Sequence, residues 1–174
     1  MNQRIKKICI VGAECTGKTT LTSMLSETFN EPWVPEYART YLDNLGRAYT
    51  KSDLLKIAEG QLEQEKNIER KSNNFLFCDT NLLVIKIWSE HKYGECDPKI
   101  MTLHNGQVYH HYLLTDVNIP WEEDPLRENP KDRSHLQNLY FDLVKNSGVP
   151  YTTVSGSKEE RLQQAQAVIQ KLLK

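Results

Sequence analysis

A chain of 174 residues with 39% hydrophobic content and a net charge of −1 is long enough for one domain with a sizeable core. The near-neutral balance, without a polybasic stripe, argues against nucleic acid as a partner. No apolar run approaches the roughly 20 residues that span a bilayer, so no membrane association is expected. The chain also begins almost directly on its first apolar segment, leaving no room for a signal peptide. Cys9, Cys15, Cys78 and Cys96 show no C-x-x-C spacing. A reducing, cytoplasmic setting is the expectation.

Residues 5–11, Ile-Lys-Lys-Ile-Cys-Ile-Val, read as a buried parallel strand. It runs into Gly12-Ala13-Glu14-Cys15-Thr16-Gly17-Lys18-Thr19, the pattern G-x-x-x-x-G-K-[ST]. Two glycines permit a tight turn in which successive N–H groups face one concavity, at the mouth of a helix whose dipole favours an anion. Lys18 is then expected to reach the β- and γ-phosphates of ATP, and the Thr19 hydroxyl to ligate Mg²⁺. Thr20 completes the expected ATP-binding set. Residues 18–29 put Leu21, Met24, Leu25 and Phe29 on one helical face. That strand–loop–helix context separates the motif from a chance Gly-rich turn.

Glu31-Pro32-Trp33-Val34-Pro35 reads as a short strand, since two prolines exclude a long central one. Glu36 follows, opening a helical stretch to about Leu45, which Gly46 would end. A carboxylate at a strand's C-terminal tip sits where open α/β sheets bind ligands. Glu36 is thus a candidate base or hydroxyl anchor, and Arg39 a candidate phosphate or substrate clamp; a surface Glu–Arg pair is the plain alternative. The next helix is expected from Thr50, capped by a Thr50/Asp53 box, to about Ser72. Gln61 and Glu65 interrupt its apolar stripe. They meet either a polar ligand, the reading preferred for Gln61, or solvent.

Phe75-Leu76-Phe77-Cys78 is a second continuous apolar run, ending in Asp79. An acid in that place is a candidate Mg²⁺ ligand beside the phosphate loop, and it competes with Glu36 for the role of base. A helix apolar nearly all round follows from Leu82 to Glu90, then a short one from Asp97-Pro98. Cys96, His104, His110 and His111 match no zinc spacing. Tyr109–Thr115 reads as another core strand. It leads to a proline-rich charged stretch over residues 120–133, expected to be a lid that brings Arg127 and Arg133 over the nucleotide; a solvated charged loop is the alternative. Ser134–Lys145 is an amphipathic helix, Val149–Val154 the last strand, and Ser157/Glu160 a capping box for the final helix. The loop at residues 155–157 is a candidate for receiving an adenine edge through its backbone.

Strands alternating with helices predict an α/β three-layer P-loop kinase fold: one domain over residues 1–174, about five parallel strands flanked by helices, and a lid near residues 118–133. An N-K-x-D stretch for guanine is absent, and the D-x-x-G match at Asp43–Gly46 lies in or beside a helix. A small-molecule kinase is favoured over a GTPase switch or an assembly ATPase.

The chain resembles the ribosylnicotinamide kinase domain of NadR-type proteins. The resemblance is carried by residues 11–19, Glu36-Tyr37-Ala38-Arg39, Asp79-Thr80 with Trp88 and Tyr93-Gly94, and Ile119-Pro120-Trp121-Glu122-Glu123-Asp124-Pro125-Leu126-Arg127. It implies transfer of phosphate from ATP, with Mg²⁺, to the 5′-hydroxyl of nicotinamide riboside for NAD synthesis. It implies a substrate pocket drawn from Glu36, Tyr37, Arg39, Gln61, Trp88, Trp121 and Asp124. Other nucleosides or nucleoside monophosphates are the alternative acceptors. The family's longer members carry an adenylyltransferase domain that has no counterpart in these 174 residues. Some have Trp-Glu-Tyr where this chain has Pro35-Glu36-Tyr37, and an acid where it has Asn81.

Overall fold

The computed structural model describes residues 5–125 and 131–173. In chain order the elements are β1 (Lys6–Val11), α1 (Lys18–Phe29), β2 (Trp33–Val34), α2 (Tyr37–Asp43), α3 (Lys51–Glu69) and β3 (Phe75–Asp79). They continue with α4 (Leu82–Tyr93), α5 (Pro98–Asn105), β4 (His111–Thr115), α6 (Arg133–Asn146), β5 (Tyr151–Val154) and α7 (Lys158–Leu172). The strands form one parallel sheet in the order β2-β3-β1-β4-β5.

The continuous apolar runs became the inner strands because both of their faces are covered. Ile8 and Ile10 pack with Leu21 and Leu25 of α1 and with Ala165 and Ile169 of α7. Cys9 and Val11, on the opposite face of the same strand, pack with Leu83, Val84 and Ile87 of α4 and with Leu136, Tyr140 and Val144 of α6. This is the expected three-layer α/β architecture. A third cluster joins α2 and α3 to α4 and α5 through Ala38, Leu54, Ile57, Leu82, Ile85 and Ile100.

Strand order positions the site. The chain leaves β1 for one side of the sheet and leaves β3 for the other, so the loops after these neighbouring strands diverge and open a crevice at their carboxyl ends. The phosphate loop and Asp79 both lie there.

Several boundaries differ from the sequence reading. β4 begins at His111 rather than Tyr109, and β5 at Tyr151 rather than Val149. α2 stops at Asp43 and α3 at Glu69, short of Leu45 and Ser72. Pairing with a neighbour, not hydrophobicity, decides where a strand starts. Both capping boxes form as expected, at Thr50/Asp53 and Ser157/Glu160. Asn81 caps α4 by accepting from Leu83 N–H, and its amide donates to the Tyr112 hydroxyl at 3.1 Å. Glu65 meets neither ligand nor solvent. It is buried, accepting from the Tyr109 hydroxyl at 2.8 Å and the Lys7 ammonium at 3.1 Å. Trp33 packs against the core cluster of α1 and α7, away from the crevice.

Candidate active site

The loop between β1 and α1 is built from its two glycines outward. Gly12 has φ +147°, and a Cβ there would lie 2.5 Å from Thr115 Oγ1 and 2.8 Å from the Thr115 carbonyl oxygen. Only glycine lets the loop pass that close to the end of β4. Gly17, at φ +77°, turns the chain into α1. Cys15 between them also has positive φ, at 55°.

The loop's carbonyls are met by protein donors. Lys18 Nζ donates to the Ala13 carbonyl at 2.8 Å, and Thr16 Oγ1 donates to the same oxygen at 2.8 Å. Arg133 Nη2 donates to the Cys15 carbonyl at 2.7 Å, and Arg161 Nη1 to the Thr16 carbonyl. The Thr16 and Thr115 hydroxyls are 2.7 Å apart. Gln137 of α6 clamps the start of the loop: its Oε1 accepts from Ala13 N–H at 3.0 Å, and its Nε2 donates to the Thr115 carbonyl at 2.9 Å.

Across the crevice, Thr19 Oγ1 donates to Asp79 Oδ2 at 2.6 Å. Asp79 Oδ1 is buried without a hydrogen-bond partner. Two oxygen donors side by side, one with an unmet lone pair, suit a hard divalent cation such as Mg²⁺. Burial raises the Asp79 pKa, opposed by the Thr19 hydrogen bond and the charges of Lys18 and Arg39. Burial also pushes the Glu36 carboxyl up; Lys18 opposes that, and Asp79 adds to it. The two acids thus share one field, as neighbouring carboxylates do.

A cleft of about 280 Å³ opens over the loop, lined by Gly12, Glu14–Thr20, Glu36, Arg39, Leu42, Val84, Trp88, Ile119, Glu122, Tyr140 and Lys158. Most of the sequence-derived residues meet there: the loop, Lys18, Thr19, Thr20, Glu36, Arg39 and Trp88. Others do not line it. Tyr37 lays its ring on Gly60, where a Cβ would lie 2.1 Å from Tyr37 Cε1. Gln61 is buried and accepts from Tyr37 N–H at 2.8 Å, supporting the turn that carries Glu36. Asp124 accepts from Arg39 Nη2 at 3.0 Å, joining residues 116–125 to α2. Trp121 Nε1 donates to Glu123 at 3.3 Å. Arg133 is held on the loop backbone rather than over the cleft, because it opens α6 beside Cys15. Arg127 lies outside the described residues.

The sequence reading missed Gln137, Lys158, Tyr140 and Arg161. Lys158 follows the 155–157 loop directly and was concealed inside the Ser157/Glu160 capping box. The others sit in helices at positions that read as ordinary amphipathic pattern. Among the described residues no group of three or more His, Cys, Asp or Glu side chains is placed to hold a metal. None of the described helices is long and apolar enough to cross a membrane.

A family model described as an AAA domain matches residues 7–161. The chain belongs to this AAA-domain family. Among curated proteins, this AAA-domain chain is 28% identical over 156 residues to the trifunctional NAD biosynthesis/regulator protein NadR of Salmonella typhimurium strain LT2. The match covers 86% of this chain but 38% of that protein, so the chain spans well under half of its relative. Among solved structures, NadR in complex with NAD and AMP-PNP superposes with a TM-score of 0.79 at 17% identity, over 96% of this chain and 49% of that one. NadR in complex with NR gives 0.78 at 16% identity, with the same coverage. Thymidylate kinase from Ehrlichia chaffeensis gives 0.68 at 16% identity, over 95% and 98% of the two chains. The AAA-domain chain therefore has the P-loop fold of nucleoside and nucleotide kinases, and it is homologous to NadR.

Proposed function

We propose that this chain is a small-molecule kinase that transfers the γ-phosphoryl group of ATP to the 5′-hydroxyl of a nucleoside-like alcohol. The observation that carries this reading is the 2.6 Å contact between the Thr19 hydroxyl and the buried Asp79, whose Oδ1 is unpartnered, with Thr19 and Glu36 both lining the cleft. Nicotinamide riboside is the acceptor that best fits the NadR similarity.

In this mechanism the loop at residues 12–19 cradles the triphosphate with its backbone N–H groups, and Lys18 leaves the Ala13 carbonyl for the β- and γ-phosphates. Thr19 and Asp79 would hold Mg²⁺, which neutralises charge on those phosphates when bound. Glu36, at the N-cap of α2, accepts the proton of the attacking hydroxyl. Its raised pKa brings its basicity closer to what proton abstraction at neutral pH requires. Trp88, Val84, Leu42 and Tyr140 wall the acceptor side of the cleft with apolar and aromatic surface. Residues 118–133 act as the lid. Its Ile119 and Glu122 already border the cleft, and Arg39–Asp124 fastens it to α2. Cationic charge on the phosphoryl group would come from Arg127, which lies outside the described residues, and from Arg133 only after it leaves the Cys15 carbonyl. Tyr37 and Gln61 support Glu36 from behind, and Trp121 closes with the lid. The chemistry suits an intracellular, reducing compartment.

A steady-state assay against nicotinamide riboside, thymidine, cytidine, uridine and nucleoside monophosphates tests the reading. Phosphorylation of nicotinamide riboside well above the others is expected. Activity on a nucleoside monophosphate but on no nucleoside would move the assignment to a monophosphate kinase. ATP hydrolysis indifferent to every acceptor would refute the kinase reading.

A further inference from the structure

Arg161, the fourth residue of α7, is a buried cation, 2% exposed. Its guanidinium touches three separate segments. Nη1 donates to the Thr16 carbonyl of the phosphate loop. Nη2 donates to the Asp116 carbonyl at 3.0 Å and to Asn118 Oδ1, at the foot of the 118–133 stretch. Nε donates to the Gly156 carbonyl at 3.0 Å, in the loop after β5. Burial lowers its pKa, and the Asp116 carboxylate opposes that. A guanidinium nevertheless stays charged in a protein. Among the described residues, every one of these four contacts is to a neutral oxygen, so the charge is solvated by carbonyl and amide dipoles and is not cancelled by direct contact with an acid.

Its place relative to the loop matters more than its burial. Nη1 lies 3.6 Å from where a Cβ on Gly17 would stand, directly behind the residues that turn into α1. Arg133, from α6, holds the preceding carbonyl of the same loop. A positive charge this close, through protein rather than water, acts strongly on an anion seated in front of the loop.

We propose that Arg161 is a positioning residue of the nucleotide site: a permanent buried charge that draws the loop's carbonyls backward and strengthens its hold on the phosphates. The proposal rests on the phosphate-binding reading of residues 12–19. It predicts selectivity by ligand part. Binding of a bare polyphosphate should depend on the charge at position 161, while binding of adenosine should not.

The test is titration calorimetry of tripolyphosphate and of adenosine into the full chain, with wild type, Arg161→Lys, Arg161→Gln and Asp116→Asn, each checked by thermal melting. Arg161→Gln should bind tripolyphosphate about tenfold or more weakly than Arg161→Lys, the effect of one unit charge at close range in a medium of effective dielectric about 20. Adenosine affinity should be alike in both. If Arg161→Gln does not fold, Asp116→Asn decides. It removes the opposing carboxylate and keeps the main-chain contact, and it should tighten tripolyphosphate binding about threefold. Equal tripolyphosphate affinities in the Lys and Gln variants, or weakening shared by adenosine, would overturn the proposal. So would unchanged or weaker binding in Asp116→Asn, where that variant decides. Failure of wild type to bind tripolyphosphate would instead remove the phosphate-site reading beneath it.

Discussion

Thr19 and Asp79 meet at 2.6 Å although 60 residues separate them in sequence. Adjacent parallel pairing of β1 and β3, with Ile10 opposite Asp79, brings the two together. The contact leaves Asp79 Oδ1 buried and unsatisfied, a cost the folded protein carries when no ligand is bound.

That cost has a sign. Asp79 has a folded pKa raised mainly by burial, so its ionised form is disfavoured in the folded state. The penalty is full above the folded pKa and fades as pH falls through it. Asp79→Asn should therefore raise the melting temperature of the ligand-free protein at pH 7, by about 2–4 °C for each kcal/mol relieved. The gain should shrink in acid, and phosphoryl transfer should be lost. Calorimetric melts from pH 4 to pH 8 check this; a destabilised Asp79→Asn at neutral pH would contradict it.

Glu36→Gln keeps size and hydrogen bonding but removes the base. Turnover should fall by about 10²- to 10⁴-fold with KM for ATP little changed. In wild type, kcat/KM should rise with pH through an apparent pKa above the ordinary glutamate value of 4.5. Asp79 adds to the rise at Glu36, so that limb carries the influence of the neighbouring carboxylate. Loss of the Glu36 limb in Glu36→Gln, leaving only the pH dependence that ionisation of Asp79 imposes, is the expected profile.

Gly12→Ala should fail for a steric reason. The new methyl would press on Thr115 Oγ1 and on the Thr115 carbonyl, at a φ that side chains rarely adopt. A loss of about 1–3 kcal/mol is expected from the strained backbone alone. Weaker ATP binding should accompany it. A melt and an ATP titration on the same preparation measure both.

The fold was legible from the chain wherever the signal was local. The phosphate loop is a contiguous pattern, and Asp79 ends an apolar run, so both could be placed without knowing what they faced. Lys18 resting on the Ala13 carbonyl could not be foreseen, since its position depends on whether phosphate is present. Gln137, Arg161 and Glu65 could not be read either. Gln137 meets Ala13 across 124 positions and Arg161 meets Thr16 across 145, so no window of sequence contains both partners. Glu65 looked like a break in the α3 stripe because Tyr109 and Lys7, which satisfy it, come from other strands or loops. Long-range polar satisfaction was the missing information, not propensity.

Asp53, which does not line the cleft, gives a second pH test. It caps α3 and accepts from Thr50 N–H at 2.8 Å, the Tyr41 hydroxyl at 2.9 Å and both terminal nitrogens of Arg47. The Arg47 pairing, then the Thr50 bond, holds its pKa well below the usual carboxylate range. Its contribution is present above the unfolded pKa of about 3.9 and is lost as pH falls below it toward the depressed folded value. Asp53→Asn should melt below wild type at pH 7, and the gap should narrow steadily below about pH 4. Parallel melting curves across that range would show that the carboxylate adds nothing as a charge.

The central claim is that residues 12–19 grip a nucleoside triphosphate through Lys18. Titration calorimetry of Mg·ATP into wild type and Lys18→Ala measures it without assuming any acceptor. A single saturable site in wild type, weakened at least about tenfold in a Lys18→Ala protein of unchanged melting temperature, is the predicted result. No saturable heat in wild type, or equal affinity in the two proteins, would contradict it.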